Sequence, residues 1–141
     1  MVELPTPDQM ATTHAAAFTH SRSWSADEFA ALLESPLTLA VGDARSFALV
    51  RIIAQEAELL TIATHPDHQR QGLARRIMET WQREATARGA AEAFLEVAAD
   101  NMPAQALYQS YGFAECGRRA GYYTRKGASA VDAVLMQRTL R

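Results

Sequence analysis

One loop in this sequence has the residues of an anion-binding site, and two side chains are candidates for acid–base chemistry. The loop lies between a strand-like apolar run, residues 57–64, and a long helical pattern that ends near Arg88. Its residues are Gln69, Arg70, Gln71, Gly72, Leu73 and Ala74. The first N–H groups of a helix have no intrahelical partner, and the helix dipole favours negative charge there. The loop therefore predicts a phosphate or pyrophosphate site, although an ordinary strand-to-helix connection explains the same pattern.

Positive charge and a strong helical pattern accompany this loop. Arg70, Arg75 and Arg76 lie within it or directly after it. Apolar residues then recur every four positions, at Leu73, Ile77, Trp81 and Ala85, with Met78 beside them. This spacing predicts an amphipathic helix, and Gly89 is its expected C-terminal stop.

The first of the two side chains is Glu96, a carboxylate in an apolar run. A strand is expected over residues 91–97, so residues 57–97 form a β-α-β unit with a parallel strand pair. Ligands of such units bind at the carboxyl ends of the strands, where both Gly72 and Glu96 fall. Glu96 is therefore a candidate general base. A solvent-facing residue of an alternating strand is the other interpretation.

The second side chain is Tyr108, which lies on a short predicted helix. Asn101 is a suitable N-cap for this helix, Pro103 suits its first turn, and Gly112 is expected to end it. A phenol with an ordinary pKa of about 10 can give a proton to a leaving anion. The alternative is that Tyr108 is an aromatic residue that packs the helix on the sheet.

Capping and turn signals predict the other elements. Capping boxes begin helices at Thr6 and at Ser25, the first ending near Phe18 and the second near Glu34. Trp24 and Phe29 are placed as a hydrophobic staple, and the loop over residues 19–24 could flank a pocket. Strands are predicted over residues 37–41, 47–53 and 57–64, with a turn at residues 42–43. Later strands are predicted over residues 113–117, around residues 122–123 and over residues 131–139, with a loop at residues 126–129.

Composition places the chain among ordinary globular proteins. With 141 residues, a single domain over residues 1–141 is expected. The net charge of −2 argues against nucleic-acid binding, and no apolar run approaches the roughly 20 residues of a membrane span. No signal peptide is visible, and Cys116 is the one cysteine, so a cytoplasmic location is expected. His65 and His68 lack metal-ligand spacing, and no metal site is predicted.

The order of these elements and motifs is similar to that of the GNAT superfamily of acyl-CoA-dependent N-acyltransferases. Residues 69–74 match the loop Gln/Arg-x-x-Gly-x-Gly/Ala of that family. The downstream matches stand in the family's order: Leu95-Glu96-Val97, Asn101, Ala106-Leu107-Tyr108, Tyr111-Gly112-Phe113, Tyr122-Tyr123 and Asp132-Ala133. Within the superfamily the chain most resembles the ribosomal-protein-alanine N-acetyltransferases. The pair Trp24-Ser25 ahead of the second helix is also similar to the sequence of that subgroup.

The resemblance implies a fold and a set of roles. The implied GNAT fold is α/β (α+β), with a mixed, mostly antiparallel sheet, one parallel strand pair splayed at the cofactor site, and helices on both faces. Acetyl-CoA is implied as co-substrate, bound by the backbone at Ile62, Ala63 and Thr64, by amides from Arg70 through Arg75, and by Asn101. Glu96 is implied as general base for the amine and Tyr108 as proton donor to the CoA thiolate, with direct transfer to the amine.

The acceptor is left open by the residues. A protein N-terminal α-amine is expected first, with Trp24, Tyr122 and Tyr123 as candidate walls of its groove. A small amine, such as a polyamine, an amino acid or an antibiotic, is the second alternative. A non-catalytic acyl-CoA-binding module is the third, which the presence of both Glu96 and Tyr108 disfavours. A monomer or a homodimer is expected.

Overall fold

The computed structural model of this chain describes residues 3–18, 22–125 and 127–140. Four helices and six strands make up the described part. The helices are α1 (Pro7–Ala17), α2 (Ala26–Glu34), α3 (Leu73–Ala87) and α4 (Met102–Ser110). The strands are β1 (Thr38–Asp43), β2 (Ser46–Ile53), β3 (Glu56–Thr64), β4 (Glu92–Ala98), β5 (Ala114–Arg125) and β6 (Ala128–Thr139). A short 3₁₀ helix, Pro66–His68, follows β3.

All six strands form one sheet, in the order β1-β2-β3-β4-β6-β5. Every neighbouring pair is antiparallel except β3 and β4, which are parallel. This parallel ladder is short, since it runs only from Glu56 opposite Glu92 to Glu58 opposite Phe94. Among the described residues, the rest of β3 pairs only with β2, and the rest of β4 only with β6. The mixed sheet with one parallel pair that opens toward its carboxyl ends is therefore confirmed.

Helix α3 covers one face of the sheet. The predicted stripe of Leu73, Ile77, Trp81 and Ala85, with Met78, is buried. It packs against alternate residues of β2, including Ala48 and Val50. Burying each large apolar side chain contributes about 1.5–3 kcal/mol, so this stripe fixes where the N-terminus of α3 lies.

Helices α1 and α2 cover the other face. Met10 of α1 and Phe29 of α2 are buried against Phe47 and Leu49, the β2 residues that alternate with the α3-facing ones. Ala63 near the end of β3 belongs to the same cluster. The end of β3 therefore packs on α1 and α2 through one face, while its edge toward β4 forms no ladder.

A buried histidine joins α1 to the entry of α2. The ring of His14 stacks on Trp24, with centroids 5.1 Å apart, and its Nδ1 accepts the Trp24 backbone N–H at 3.3 Å. Burial lowers the pKa of His14 to about 4, so the ring stays neutral and able to accept this bond at neutral pH. The predicted staple between Trp24 and Phe29 is present, with centroids 5.5 Å apart. Residues 19–21 of the predicted loop lie outside the described residues.

The structure corrects three boundaries, one of which is the start of the last strand, at Ala128 and not at residue 131. The predicted turn residues Gly42 and Asp43 are the end of β1, and the turn is formed by Ala44 and Arg45, because Asp43 Oδ1 accepts the Arg45 backbone N–H at 2.8 Å. The strands predicted over residues 113–117 and around residues 122–123 are one strand, β5. Its register shifts against β6 three times, and these irregularities interrupted the alternation that marks a strand in sequence.

Candidate active site

The opening between β3 and β4 has the features of a binding cleft. Ile62, Ala63 and Thr64 form the end of β3, and their ladder partners all belong to β2. In an antiparallel ladder alternate residues turn their N–H and C=O groups away from the partner strand. The outer edge of β3 therefore presents backbone donors and acceptors to the cleft.

The N-terminus of α3 opens beside this cleft without a cap of its own. Gly72 is the N-cap residue and has no side chain to bond the first N–H groups, and no acidic residue lies in the first turn. Gly72 has φ +78°, and a Cβ added there would meet no atom within 4 Å. Arg70 also has positive φ, at 64°, and both it and Gln71 are exposed. Free N–H groups, open space and a cationic rim fit a pyrophosphate.

The start of α3 is held by α4. The Tyr111 hydroxyl, at the C-terminal end of α4, donates to the Arg75 carbonyl at 3.1 Å, and the Arg75 guanidinium carbon lies 5.9 Å from the centre of the Tyr111 ring. Asn101 at the other end of α4 is exposed, and its Oδ1 accepts the Ala104 N–H at 3.2 Å. Its use as N-cap leaves the amide NH₂ without a hydrogen bond to any described residue.

Glu96 lies on β4 at the far side of the cleft. Its side chain is 26% exposed, and its Oε1 lies 3.2 Å from the Arg119 guanidinium of β5. Arg119 was not among the residues that the sequence singled out. Its proximity depends on a strand order in which β6 separates β4 from β5, and no local pattern in the sequence carries that information.

Tyr108 is buried at the end of α4, with 6% of its surface exposed. Its hydroxyl makes no hydrogen bond to any described residue, yet no described buried side-chain polar atom is both sealed from solvent and unpartnered. Among the described residues, therefore, no group competes with a ligand for this hydroxyl. Burial raises the pKa of Tyr108 above its ordinary value, and the neighbouring Tyr123 phenol adds to this. The phenol thus keeps its proton throughout the neutral range.

Tyr123 connects the two candidate catalytic groups. Burial raises the pKa of Tyr123, and the negative charge of Glu96 raises it further. Tyr123 therefore lies within electrostatic reach of both Glu96 and Tyr108. The Arg125 guanidinium lies 5.6 Å from the Tyr123 ring centre and bonds Asp100 through two nitrogens, at 3.1 and 3.0 Å.

A local distortion of β5 turns the paired tyrosines. From Arg119 to Tyr123 β5 advances four residues, while the partner residues on β6, Ala133 and Val131, are only two apart. Gly121, with φ +59°, lies in this bulge, and its N–H donates to Asp132 Oδ1 at 3.0 Å. Tyr122 is consequently exposed, and its ring meets that of Tyr123 edge to face at 5.1 Å.

Not every predicted site residue is brought to this cluster. Trp24 contacts His14 and Phe29 and packs on the apolar cluster of α1, α2 and β2, and no described contact joins it to Tyr122 or Tyr123. Its role as an acceptor wall therefore stays a prediction.

A cavity of about 430 Å³ lies elsewhere, between α3 and the β1–β2 hairpin, lined by Ser46 and Thr80 among others. Its rim includes Arg45 and Asp43, which already pair with each other at 2.8 Å. Leu73 and Arg76 of the first turn of α3 also line it, so the cavity adjoins the start of this helix. The cleft beside Gly72 is the better candidate for acetyl-CoA, because it also contains the edge of β3 that pairs with no strand there.

The described residues contain no group of three histidine, cysteine or acidic side chains that could hold a metal ion. Cys116 is exposed on β5. No described helix has both the length and the apolar character that crossing a bilayer requires.

Comparison with known proteins places this geometry in a family. The sequence profile of the Acetyltransferase (GNAT) family matches residues 7–113. The chain is 40% identical over 139 residues to the [Ribosomal protein bS18]-alanine N-acetyltransferase of Escherichia coli K12, covering 94% of this chain and 92% of that protein. The crystal structure of the Escherichia coli ribosomal-protein-S18-alanine N-acetyltransferase superposes with a TM-score of 0.85 at 34% identity, over 95% of this chain and 87% of the other.

A more distant structure shares the fold. NAA60 of Arabidopsis thaliana, crystallised with acetyl-CoA, superposes with a TM-score of 0.80 at 16% identity, over 95% of this chain and 93% of the other. The strand opening and the uncapped, cationic start of α3 fit acetyl-CoA as co-substrate. The chain belongs to the GNAT family of acetyltransferases and is an acetyl-CoA-dependent N-acetyltransferase.

Proposed function

We propose that this enzyme acetylates the N-terminal α-amine of a protein, with ribosomal protein bS18 as the first acceptor to test. The observation that carries the proposal is the 40% identity to the bS18-alanine N-acetyltransferase across nearly the full length of both chains. The exposed Tyr122 supports it, because its ring lies near the Arg119 guanidinium that pairs with Glu96, and an aromatic wall provides apolar area to a peptide with few rotamers to freeze. We also propose a cytoplasmic location, which the single cysteine supports.

Acetyl-CoA supplies the acetyl thioester, and residues of three elements would hold it. Backbone groups at Ile62, Ala63 and Thr64 would bond its pantetheine arm along the unpaired edge of β3. The N–H groups from Arg70 through Arg75 would bond its pyrophosphate at the start of α3. The free amide NH₂ of Asn101 would donate near the thiol end. The Thr64 carbonyl also accepts a long bond, at 3.5 Å, from the exposed Gln69 side-chain amide, which a bound ligand can displace.

Glu96 would act on the acceptor amine as general base. A protein α-amine has a pKa of roughly 7.7–8.0, so at neutral pH most of it is ammonium, which has no lone pair for attack. The Glu96 carboxylate would accept the ammonium proton, through a water molecule or directly. The neutral amine could then attack the thioester carbonyl, forming the C–N bond as the C–S bond breaks.

Tyr108 would act at the sulfur. Its neutral phenol can donate a hydrogen bond to the thiolate as negative charge develops there, and then its proton. Of the two protons that the acceptor ammonium loses overall, one goes to Glu96 before attack and the other restores the Tyr108 phenol afterwards. The products are an N-acetylated terminus, CoA thiol and one proton released to solvent.

The first prediction tests the anion site. Gly72→Asp should weaken acetyl-CoA binding at least tenfold, about 1.4 kcal/mol, because it places a negative charge where the pyrophosphate binds. The side chain itself has room, and Asp tolerates positive φ, so folding should survive. Isothermal titration calorimetry measures the affinity.

Two controls make this test specific. Gly72→Asn adds the same bulk without charge and should weaken binding less. Gly127→Asp adds the same charge at another open glycine with positive φ, on the β5–β6 hairpin, and should leave the affinity unchanged. Equal affinity in wild type and in folded Gly72→Asp would move the cofactor elsewhere.

The second prediction concerns Tyr108. Tyr108→Phe keeps the buried ring and removes the proton, so turnover should fall by about 10² or more while acetyl-CoA affinity changes little. Tyr111→Phe is the comparison, since its hydroxyl holds the Arg75 carbonyl and its loss should act on the KM for acetyl-CoA. Turnover of Tyr108→Phe within about twofold of wild type would make Tyr108 a packing residue.

The third prediction separates the acceptor classes. With acetyl-CoA limiting, a peptide with the N-terminal sequence of bS18 should be acetylated on its α-amine far faster than free polyamines or lysine side chains. Mass spectrometry of the competing products reads the result. Tyr122→Ala should raise the peptide KM more than it lowers turnover, because it removes uniform binding. Preferred acetylation of small amines would overturn the acceptor assignment and leave the acetyltransferase assignment intact.

A further inference from the structure

The ion pair between Arg119 and Glu96 spans a whole strand of the sheet. Arg119 lies on β5 and Glu96 on β4, and β6 runs between them. Arg119 pairs in register with Ala133 of β6, and Ala133 pairs with Ala98 of β4. Side chains of directly opposed residues share a face of the sheet, and Glu96 shares the face of Ala98. The guanidinium therefore reaches Glu96 diagonally past Ala133, whose small side chain leaves room, while Leu135 is the β6 residue directly opposite Glu96.

This pair is poorly suited to stabilising the fold. The Arg119 side chain is 55% exposed, and ion pairs with exposed members contribute little to stability. Arg119 also lies over Tyr122, with its guanidinium carbon 5.4 Å from the ring centre. The cation is thus held between the proposed base and the exposed aromatic wall of the acceptor site.

The other cations of β5 have other partners. Arg118 bonds Glu115 at 2.9 Å and lies 3.7 Å from Asp132, and Arg125 bonds Asp100. Groups that face Glu96 from the packed elements are Arg119, Tyr123 and, behind Tyr123, Tyr108 of α4. Among the described residues Arg119 is therefore the cation that acts most directly on the place where the acceptor nitrogen must lie.

We propose that Arg119 is a positioning residue of the acceptor site: it holds the Glu96 carboxylate and, as a fixed positive charge, disfavours the ammonium form of the bound acceptor relative to the neutral amine. The inference rests on the proposed role of Glu96 as the base. A positive charge a few ångströms from the acceptor nitrogen lowers the pKa of the bound amine. A larger share of the bound acceptor is then ready for attack at neutral pH, at the cost of weaker binding of the ammonium.

The variant Arg119→Gln tests this directly. With both substrates saturating, the acid limb of the kcat–pH profile reports ionisations in the bound complex. Its midpoint should move up by about 0.5–1 pH unit, so that kcat falls at pH 7 and recovers at higher pH. The acceptor KM at pH 7 should fall as well, because the ammonium is no longer repelled. A residue that only supported packing would lower kcat at every pH and would not tighten acceptor binding.

Two further variants complete the experiment. Arg119→Lys keeps the charge and should restore the wild-type midpoint. Arg118→Gln removes one positive charge from the adjacent position, where the side chain faces Glu115 and Asp132, and should also leave the midpoint in place. An unmoved midpoint in Arg119→Gln, or an equal shift in Arg119→Lys or Arg118→Gln, would overturn the inference.

The acceptor used should be whichever amine wild type acetylates fastest in the competition assay. If small amines win there, the bS18 assignment fails, yet the same pH profiles still test Arg119 with that amine. Thermal melting of each variant confirms that it is folded.

Discussion

The opening of the sheet between β3 and β4 is the constraint on which the rest of the site depends. The two strands share only three register pairs before each continues with a different neighbour. Strand β3 stays with β2, and β4 stays with β6, so neither can close the gap without giving up a longer antiparallel ladder. An unpaired backbone polar group that is cut off from water costs about 1–3 kcal/mol. The gap therefore has to be filled by water or by a ligand with its own donors and acceptors.

The same opening lies between two different chemical environments, the start of α3 and the carboxylate of β4. On one side the buried stripe of α3 fixes the position of its uncapped N-terminus, where an anion is favoured. On the other side β4 carries Glu96, and Tyr123 lies within electrostatic reach of both Glu96 and Tyr108 of α4. A ligand with a charged end and a reactive end can therefore lie along β3, with its anionic part at Gly72 and its reactive part between the carboxylate and the phenol.

Much of this could be predicted from local patterns. The α3 stripe, the capping boxes at Thr6 and Ser25, and the glycine loop all depend on residues a few positions apart, where periodicity and capping chemistry are informative. The family resemblance added the implied fold and the implied roles of Glu96, Tyr108 and the loop amides. The fold, the acetyltransferase activity and the co-substrate are confirmed, and the residue roles remain proposals.

What local patterns missed was set by register and tertiary packing. Arg119 reaches Glu96 only because β6 lies between β4 and β5 and places the small residue Ala133 opposite Arg119. The bulges in β5 interrupt the alternation of inward- and outward-facing residues, so the sequence predicted two strands where the structure has one. His14 is an ordinary helix residue in sequence, and only the fold shows its ring stacked under Trp24 and kept neutral by burial.

The central claim is that acetyl-CoA lies in the opening between β3 and β4 with its pyrophosphate at α3. Backbone hydrogen exchange with and without acetyl-CoA tests it most directly, since the ligand is expected to bond the amides themselves. The account predicts slowed exchange at residues 62–64 and 72–75, with the β1–β2 turn at residues 44–45 unchanged. Slowed exchange at residues 41–43, 45–46, 76–77 and 80, which line the cavity between α3 and the β1–β2 hairpin, without slowing at residues 62–64, would contradict it.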